Sequence, residues 1–313
     1  MLNRRHLRIK GFQALYAYQQ AENRDVKASE KQLLQAVHVV HDAYIYLLQL
    51  SLELALFEET AVAEKSNKHL PTAEDLSSSA VLMKNKFIAQ LEKDLAFQKL
   101  VKAYKVNWNG EEVLFREILT QLKSDEPYLA YAKIETPTLK EDQDFMQFLF
   151  KKVLFKFPLL EQHLEEKYLN WPVDAETIES MILKTIKAFK LQTELDLLPI
   201  TANWEEDRVF ITDLFNQTIK NENEYNELIA NKTQNWDVER IALVDTILMK
   251  MAISEFVHFQ SIPTKVTMNE YIDISKEFST PKSKGFINGI LDKILIELKE
   301  KHQINKSGRG LVD

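Results

Sequence analysis

Ile262-Pro-Thr-Lys-Val-Thr-Met-Asn-Glu-Tyr-Ile-Asp-Ile-Ser-Lys-Glu-Phe-Ser-Thr-Pro-Lys-Ser-Lys-Gly-Phe-Ile-Asn-Gly-Ile-Leu-Asp-Lys293 spells a loop, a helix, a tight basic turn and a second helix. Pro263 disfavours helical geometry at Ile262, so a new element begins after it. Thr267 and Glu270 have the spacing of a capping box, which places the helix start at Thr267. Met268, Ile272, Ser275 and Phe278 share one face, and Asp273, Lys276 and Glu277 point outward. Ser279-Thr280-Pro281 stops the helix, and Ser283 is expected to cap the next one. That helix has an apolar face of Phe286, Ile287, Ile290, Leu291, Ile294 and Leu298. A mid-helix glycine costs about 1 kcal/mol against alanine, so Gly289 suggests a close approach to the backbone. Lys282 and Lys284 flank a helix N-terminus, where free N–H groups and the dipole already favour an anion.

At the other end of the chain, residues 3–20 read as an amphipathic helix with Phe12, Leu15 and Tyr16 on its apolar side. Arg4, Arg5 and Arg8 are spaced to share a side. Like charges so placed repel, and a polyanion would relieve them. All three are expected to be exposed. Residues 1–21 hold four cations (Arg4, Arg5, Arg8, Lys10) and no acid, whereas the whole chain carries −7, so the other 292 residues sum to −11. A basic patch on an acidic body is a local electrostatic footprint.

These two stretches resemble the NusB transcription-antitermination family. Residues 262–270 and 284–293 follow its C-terminal signature, V-P-x-x-V-x-I-N-E and K-F-V-N-G-V-L-D-K. Arg4, Arg5, Arg8, Gln13, Ala14, Leu15 and Tyr16 follow its first helix, R-R-x-A-R-x-x-A-x-Q-A-L-Y. Leu7 stands where the family has a small residue, His6 replaces a basic position, and Gly285 takes the place usually held by Lys. The resemblance covers residues 3–20 and about 204–298. It implies an all-α fold with a NusB-like helical core formed by residues 1–20 and 201–302. Residues 21–200 would be a helical insertion, and 303–313 a flexible basic tail.

Composition agrees with a helical chain. There are six glycines in 313 residues, less than a third of the ordinary globular share. No cysteine is present, which excludes a disulfide framework, a thiolate nucleophile and a zinc–thiolate site. No run reaches the ~18 consecutive apolar residues of a membrane span, and no apolar signal core follows the N-terminal arginines. A cytoplasmic location is the expectation.

Between the two ends, residues 30–63 form one long helical pattern with Leu33, Leu34, Val37, His41, Tyr44 and Leu48 near one face. His38 and His41 lie three apart, but no second ligand cluster completes a metal site, and core histidines are the simpler reading. Residues 64–80 read as a polar linker. Helical patterns resume over about 81–105 and 111–124, and Pro127 and Pro137 bracket a connection. Shifting residues 141–183 by 65 positions pairs eleven identical residues without a gap, among them Asp142/Asp207, Phe145/Phe210, Leu149/Leu214, Phe150/Phe215, Trp171/Trp236 and Ile182/Ile247. This is the signature of a partial internal duplication, with the tryptophans as core anchors.

No catalytic motif stands out: there is no G-x-G-x-x-G, Walker loop or G-x-S-x-G. Pairs such as Glu58-Glu59 and Glu205-Glu206 read as solvated helix faces. The resemblance implies a non-enzymatic factor without cofactor or metal. It would bind boxA-type single-stranded RNA jointly with NusE, a ribosomal protein, in transcription elongation complexes on ribosomal RNA operons. Carried over by position, the RNA surface comprises Arg4, Arg5, His6, Arg8, Lys10, Lys282, Ser283, Lys284, Phe286 and Asn288. Tyr16 and Asp245 carry over as partner contacts. The alternatives are a helical protein–protein scaffold without RNA contact, or an accessory module akin to the RNA-binding domains of ribosomal RNA methyltransferases.

Overall fold

The computed structural model describes residues 1–67, 72, 80–191, 194–233 and 241–307. Among these, the regular structure is helical apart from one isolated parallel bridge between Leu2 and Thr201. The chain divides into two compact units, one of Met1 with His38–Ile200 and one of Leu2–Val37 with Thr201–Asp313.

The second of these units holds α1 (Arg4–Gln20), α10 (Trp204–Lys220), α11 (Glu222–Lys232), α12 (Leu243–His258), α13 (Thr264–Phe278) and α14 (Ser283–Glu300). Its centre is α12. Residues 247–256 are all buried, including Lys250, Ser254 and Glu255, as expected of a helix apolar on every side. Helices α1, α10, α11, α13 and α14 pack around it. Gly11 permits the closest approach: a Cβ there would lie 2.9 Å from Ile211 Cδ1 and 3.4 Å from Met251 Cε.

The other unit holds α3 (Lys86–Lys93), α4 (Leu95–Ala103), α5 (Glu112–Leu122), α6 (Glu126–Ala132), α7 (Leu139–Phe148), α8 (Pro158–Lys167) and α9 (Trp171–Ala188). α2 (Val26–Ser66) starts in the unit of α1 and continues into this one. It is long and apolar enough to cross a membrane by length and composition, with mean hydropathy 1.2 over its most apolar window. That window is 78% buried inside the protein, which marks a core helix.

The 65-residue echo extends to the elements themselves. Thr138 and Asn203, 65 apart, are both N-caps whose side chains accept from the backbone N–H three residues on. α8 and α11 end at Lys167 and Lys232, also 65 apart. Phe145/Phe210, Leu149/Leu214, Phe150/Phe215 and Ile182/Ile247 are buried in both copies, and Trp171 is a buried anchor. Its counterpart Trp236 lies outside the described residues. A further correspondence joins α3 to α1. Asn85 and Asn3 cap them in the same way, and the next residue reaches the paired aspartates, Lys86 to Asp142 at 3.4 Å and Arg4 to Asp207 at 2.7 Å.

Several expectations need correction. Residues 21–37 cluster with α1 and not with the insertion. α13 begins at Thr264 with Pro263 as its cap residue, because Thr267 Oγ1 is drawn inward to donate to Glu255 at 2.7 Å. Its buried face is Thr267, Met268, Tyr271, Ile274 and Ser275; Ile272 is half-buried. Ser283 lies within α14, and its N-cap residue is Lys282. The pattern over 81–105 is broken at Asp94, which caps α4, and Pro127 sits in the first turn of α6 instead of in a loop.

Glu58 is not solvated. It is fully buried and accepts from Val81 N, Leu82 N and Tyr128 Oη at 2.6–2.9 Å. Both ring nitrogens of His41 are engaged, Nδ1 with Tyr104 Oη and Nε2 with Leu198 O. Residues 303–307 are also not a free tail. Lys306 Nζ donates to the carbonyls of Glu255 and Phe259, and Ser307 N to that of Gln260. Burial pulls the Lys306 ammonium down to about 8.

Candidate nucleic-acid interface

α1 starts at Asn3, whose side chain accepts from the N–H groups of Arg5 and His6 while His6 Nδ1 accepts from Asn3 N. This reciprocal cap fixes the first turn, and with it the directions of three arginines. Arg4 lies over the Phe210 ring, 4.3 Å from its centroid, and pairs with Asp207 through Nε and with Glu206 through Nη2. Arg5 pairs with Glu270 through Nε and Nη2, and with Asp273 through Nη2 at 3.0 Å. Asp273 also accepts from Lys276 at 2.5 Å. The Glu270 hydrogen bond, chiefly, raises the Arg5 pKa. The Lys276 hydrogen bond, with Arg5 adding, lowers that of Asp273.

Arg8 differs from its neighbours. It is 3% exposed and forms a bidentate pair with Glu255 at 2.8 Å on both arms, and Glu255 is itself fully buried. Thr267 and Tyr271 donate to the remaining lone pairs of Glu255. Burial works against the Arg8 cation, but the hydrogen bonds and charge of Glu255 outweigh it, and the pKa rises. Burial first, and then the Glu255 charge, push the Tyr271 hydroxyl well up. The expectation of an exposed Arg8 is therefore overturned. One turn further into the helix than Arg4, it reaches Glu255 on α12. Lys10 is likewise buried, at 2% exposure, and does not belong to an accessible surface.

Asn3, Arg4, Arg5 and Arg8 line an open cleft of about 700 Å³ with Ser261, Ile262, Pro263, Val266 and Glu270. The lining thus combines three arginines, an apolar stretch and the Glu270 carboxylate.

The basic turn belongs to the same unit. Phe12 and Phe278 touch at 5.3 Å between ring centroids, so the turn after α13 lies level with the second half of α1. The arginines sit about 10 Å earlier along the helix axis. Lys282 and Lys284 are exposed. Ser283 is buried and bonded to Ser279 and Thr280, which removes it from the accessible set. Phe286 is half-buried, and Asn288 donates to Asp292. Nothing in the described structure approaches Gly289, where an added Cβ would meet open space, so the close contact expected there is absent. Of the partner residues, Tyr16 is 39% exposed. Asp245 is buried and accepts from Ser279 Oγ, which makes it a tie between α12 and the turn.

Sequence reasoning missed the acids. Glu206 and Asp273 read as ordinary helix charges, Glu270 as part of a capping box and Asp207 as a duplication match, and only the one-turn spacing of Glu270 and Asp273 on α13 hinted at a common face. Among the described residues no group of three or more metal-ligating side chains occurs.

These features define an all-helical protein with Arg4 and Arg5 lining an open cleft and Lys282 and Lys284 exposed on the nearby turn. Residues 184–295 match the model of the NusB family, so the chain contains a NusB-family domain, in a long form with a large additional helical unit. The transcription antitermination protein NusB of Salinibacter ruber is 42% identical over 105 residues, covering 34% of this chain and 66% of that protein. That of Chloroherpeton thalassium is 44% identical over 104 residues, covering 33% and 49%. That of Natranaerobius thermophilus is 37% identical over 91 residues, covering 29% and 66%. The match thus spans 49% to 66% of the length of these relatives. No solved structure matches the chain.

Proposed function

We propose that the protein is a non-enzymatic transcription antitermination factor that binds a boxA-like single-stranded RNA together with NusE within the elongation complex, in the cytoplasm. The observation that carries this reading is the packing of α1 on α10 and α12. It sets Arg4 and Arg5, which lie outside the family match, onto helices that lie inside it. Single-strand recognition uses cations for the phosphates and flat or polar groups for the bases. Arg4, Arg5, Lys282 and Lys284 supply the first, and the half-buried Phe286 ring supplies the second. Tyr16 is the partner contact that remains accessible.

The test is a mobility-shift titration of the full chain with a single-stranded boxA-type RNA, with and without NusE. Wild type is expected to shift the RNA, more tightly with NusE. R4A/R5A is expected to lose about tenfold or more while keeping the wild-type circular dichroism, since each charge-assisted phosphate contact is strong. Binding of NusE with no gain in RNA affinity would favour the scaffold reading instead.

A further inference from the structure

Arg4 and Arg5 are each held by two carboxylates of different kinds. Arg4 has an inner partner, Asp207, on Nε and an outer one, Glu206, on Nη2. Arg5 has an inner partner, Glu270, on Nε and Nη2, and an outer one, Asp273, on Nη2. The inner acids have side chains 13% and 19% exposed; the outer acids are 67% and 37% exposed. The same division thus occurs twice, on α10 and on α13. The inner acid holds Nε, and the more exposed outer one accepts from Nη2. Each outer acid also has a second partner to fall back on. Glu206 accepts from Asn203 Nδ2 at 3.4 Å, and Asp273 from Lys276 Nζ at 2.5 Å.

We infer that Glu206 and Asp273 occupy the positions that two RNA phosphates take, and that they set RNA affinity by competing for the guanidinium edges. This rests on the RNA-binding reading above. A phosphate oxygen can accept the same Nη2–H that each outer carboxylate accepts, so the exchange needs no change in the arginine rotamer. The inner acids stay in place and keep the fork aimed. The cost of release is small, because the outer pairs are solvent-exposed and their acids keep Asn203 and Lys276 as partners. The free protein then hides two cations from non-specific polyanions while keeping them oriented.

The test compares E206Q/D273N with E205Q in the full chain. Glu205 neighbours Glu206 on α10 but pairs only weakly with Arg208, at 3.8 Å, so it reports the general effect of removing an acid. Two readouts are taken: affinity for the single-stranded RNA at fixed salt, and reactivity of Arg4 and Arg5 toward a dicarbonyl reagent, followed by peptide mass spectrometry without RNA. E206Q/D273N is expected to tighten RNA binding by about three- to tenfold and to raise the reactivity of both arginines, with E205Q changing neither by more than about twofold. RNA binding that responds equally in the two variants, or unchanged arginine reactivity, overturns the inference and leaves the RNA reading standing. Absence of RNA binding in wild type and variants alike, with reactivity raised, overturns the RNA reading and the competition with it.

Discussion

Arg8 and Glu255, 247 residues apart in sequence, close a bidentate ion pair with both partners buried, and Thr267 and Tyr271 complete the carboxylate's shell. The pair ties α1 and α13 to the central helix, and Arg8 lines the same cleft as Arg4 and Arg5. Breaking one side of such a pair leaves a buried charge without a counterion, at a cost of about 3–5 kcal/mol. R8A and E255A are each expected to destabilise the protein by that order in urea unfolding. The double variant is expected to lose much less than the sum, which a double-mutant cycle reads directly.

Gly11 is the tightest point of the α1 seat. Alanine brings a methyl to 2.9 Å from the end of the flexible Ile211 side chain, while it recovers helix propensity of about 1 kcal/mol. G11A is therefore expected to be close to neutral. G11L must displace Ile211 and Met251 and is expected to cost about 1–3 kcal/mol, with a matching drop in the urea midpoint.

Binding of single-stranded RNA is expected to weaken with salt. Four accessible cations (Arg4, Arg5, Lys282 and Lys284) give a log–log slope of about −2.8. R5A is expected to reduce its magnitude by about 0.7, whereas K10A leaves it unchanged, because Lys10 is buried. An affinity flat from low to moderate salt would contradict the assignment.

His41 makes the helical unit of residues 38–200 acid-sensitive. Burial disfavours its imidazolium and holds its pKa below the usual 6.5. Between the folded value and 6.5 the unfolded chain binds a proton that the folded chain does not. Stability is therefore full above 6.5 and falls as pH drops through that window. Burial lowers His38 and His258 as well, with the same sign. Urea midpoints measured from about pH 7 to about pH 5 are expected to fall, and H41N to flatten part of that decline.

How much could be read in advance differs between the ends of the chain and its middle. The helical turn at 279–282 was legible because Ser279, Thr280 and Pro281 stop a helix for local reasons, and the same holds for the Asn3 start of α1. The 65-residue echo was legible because apolar anchors at helical period survive duplication, and the structure adds matching caps and matching aspartates to it. The start of α13 was misplaced for a non-local reason. Thr267 has capping chemistry, but a buried carboxylate from another helix claims its hydroxyl. Glu58 was misread in the same way, since nothing adjacent to it reveals that the backbone of residues 81–82 returns to it.

The sequence by itself determined the helical class, the NusB-like ends and the presence of cations at both, because propensity, capping and periodicity act over a few residues. Only the tertiary structure decided which of those cations water can reach. Arg4, Arg5 and Arg8 share one helical turn and one residue type. Their exposure depends on carboxylates more than 190 residues further on, and burial of a charge is settled by the partner that packing brings to it.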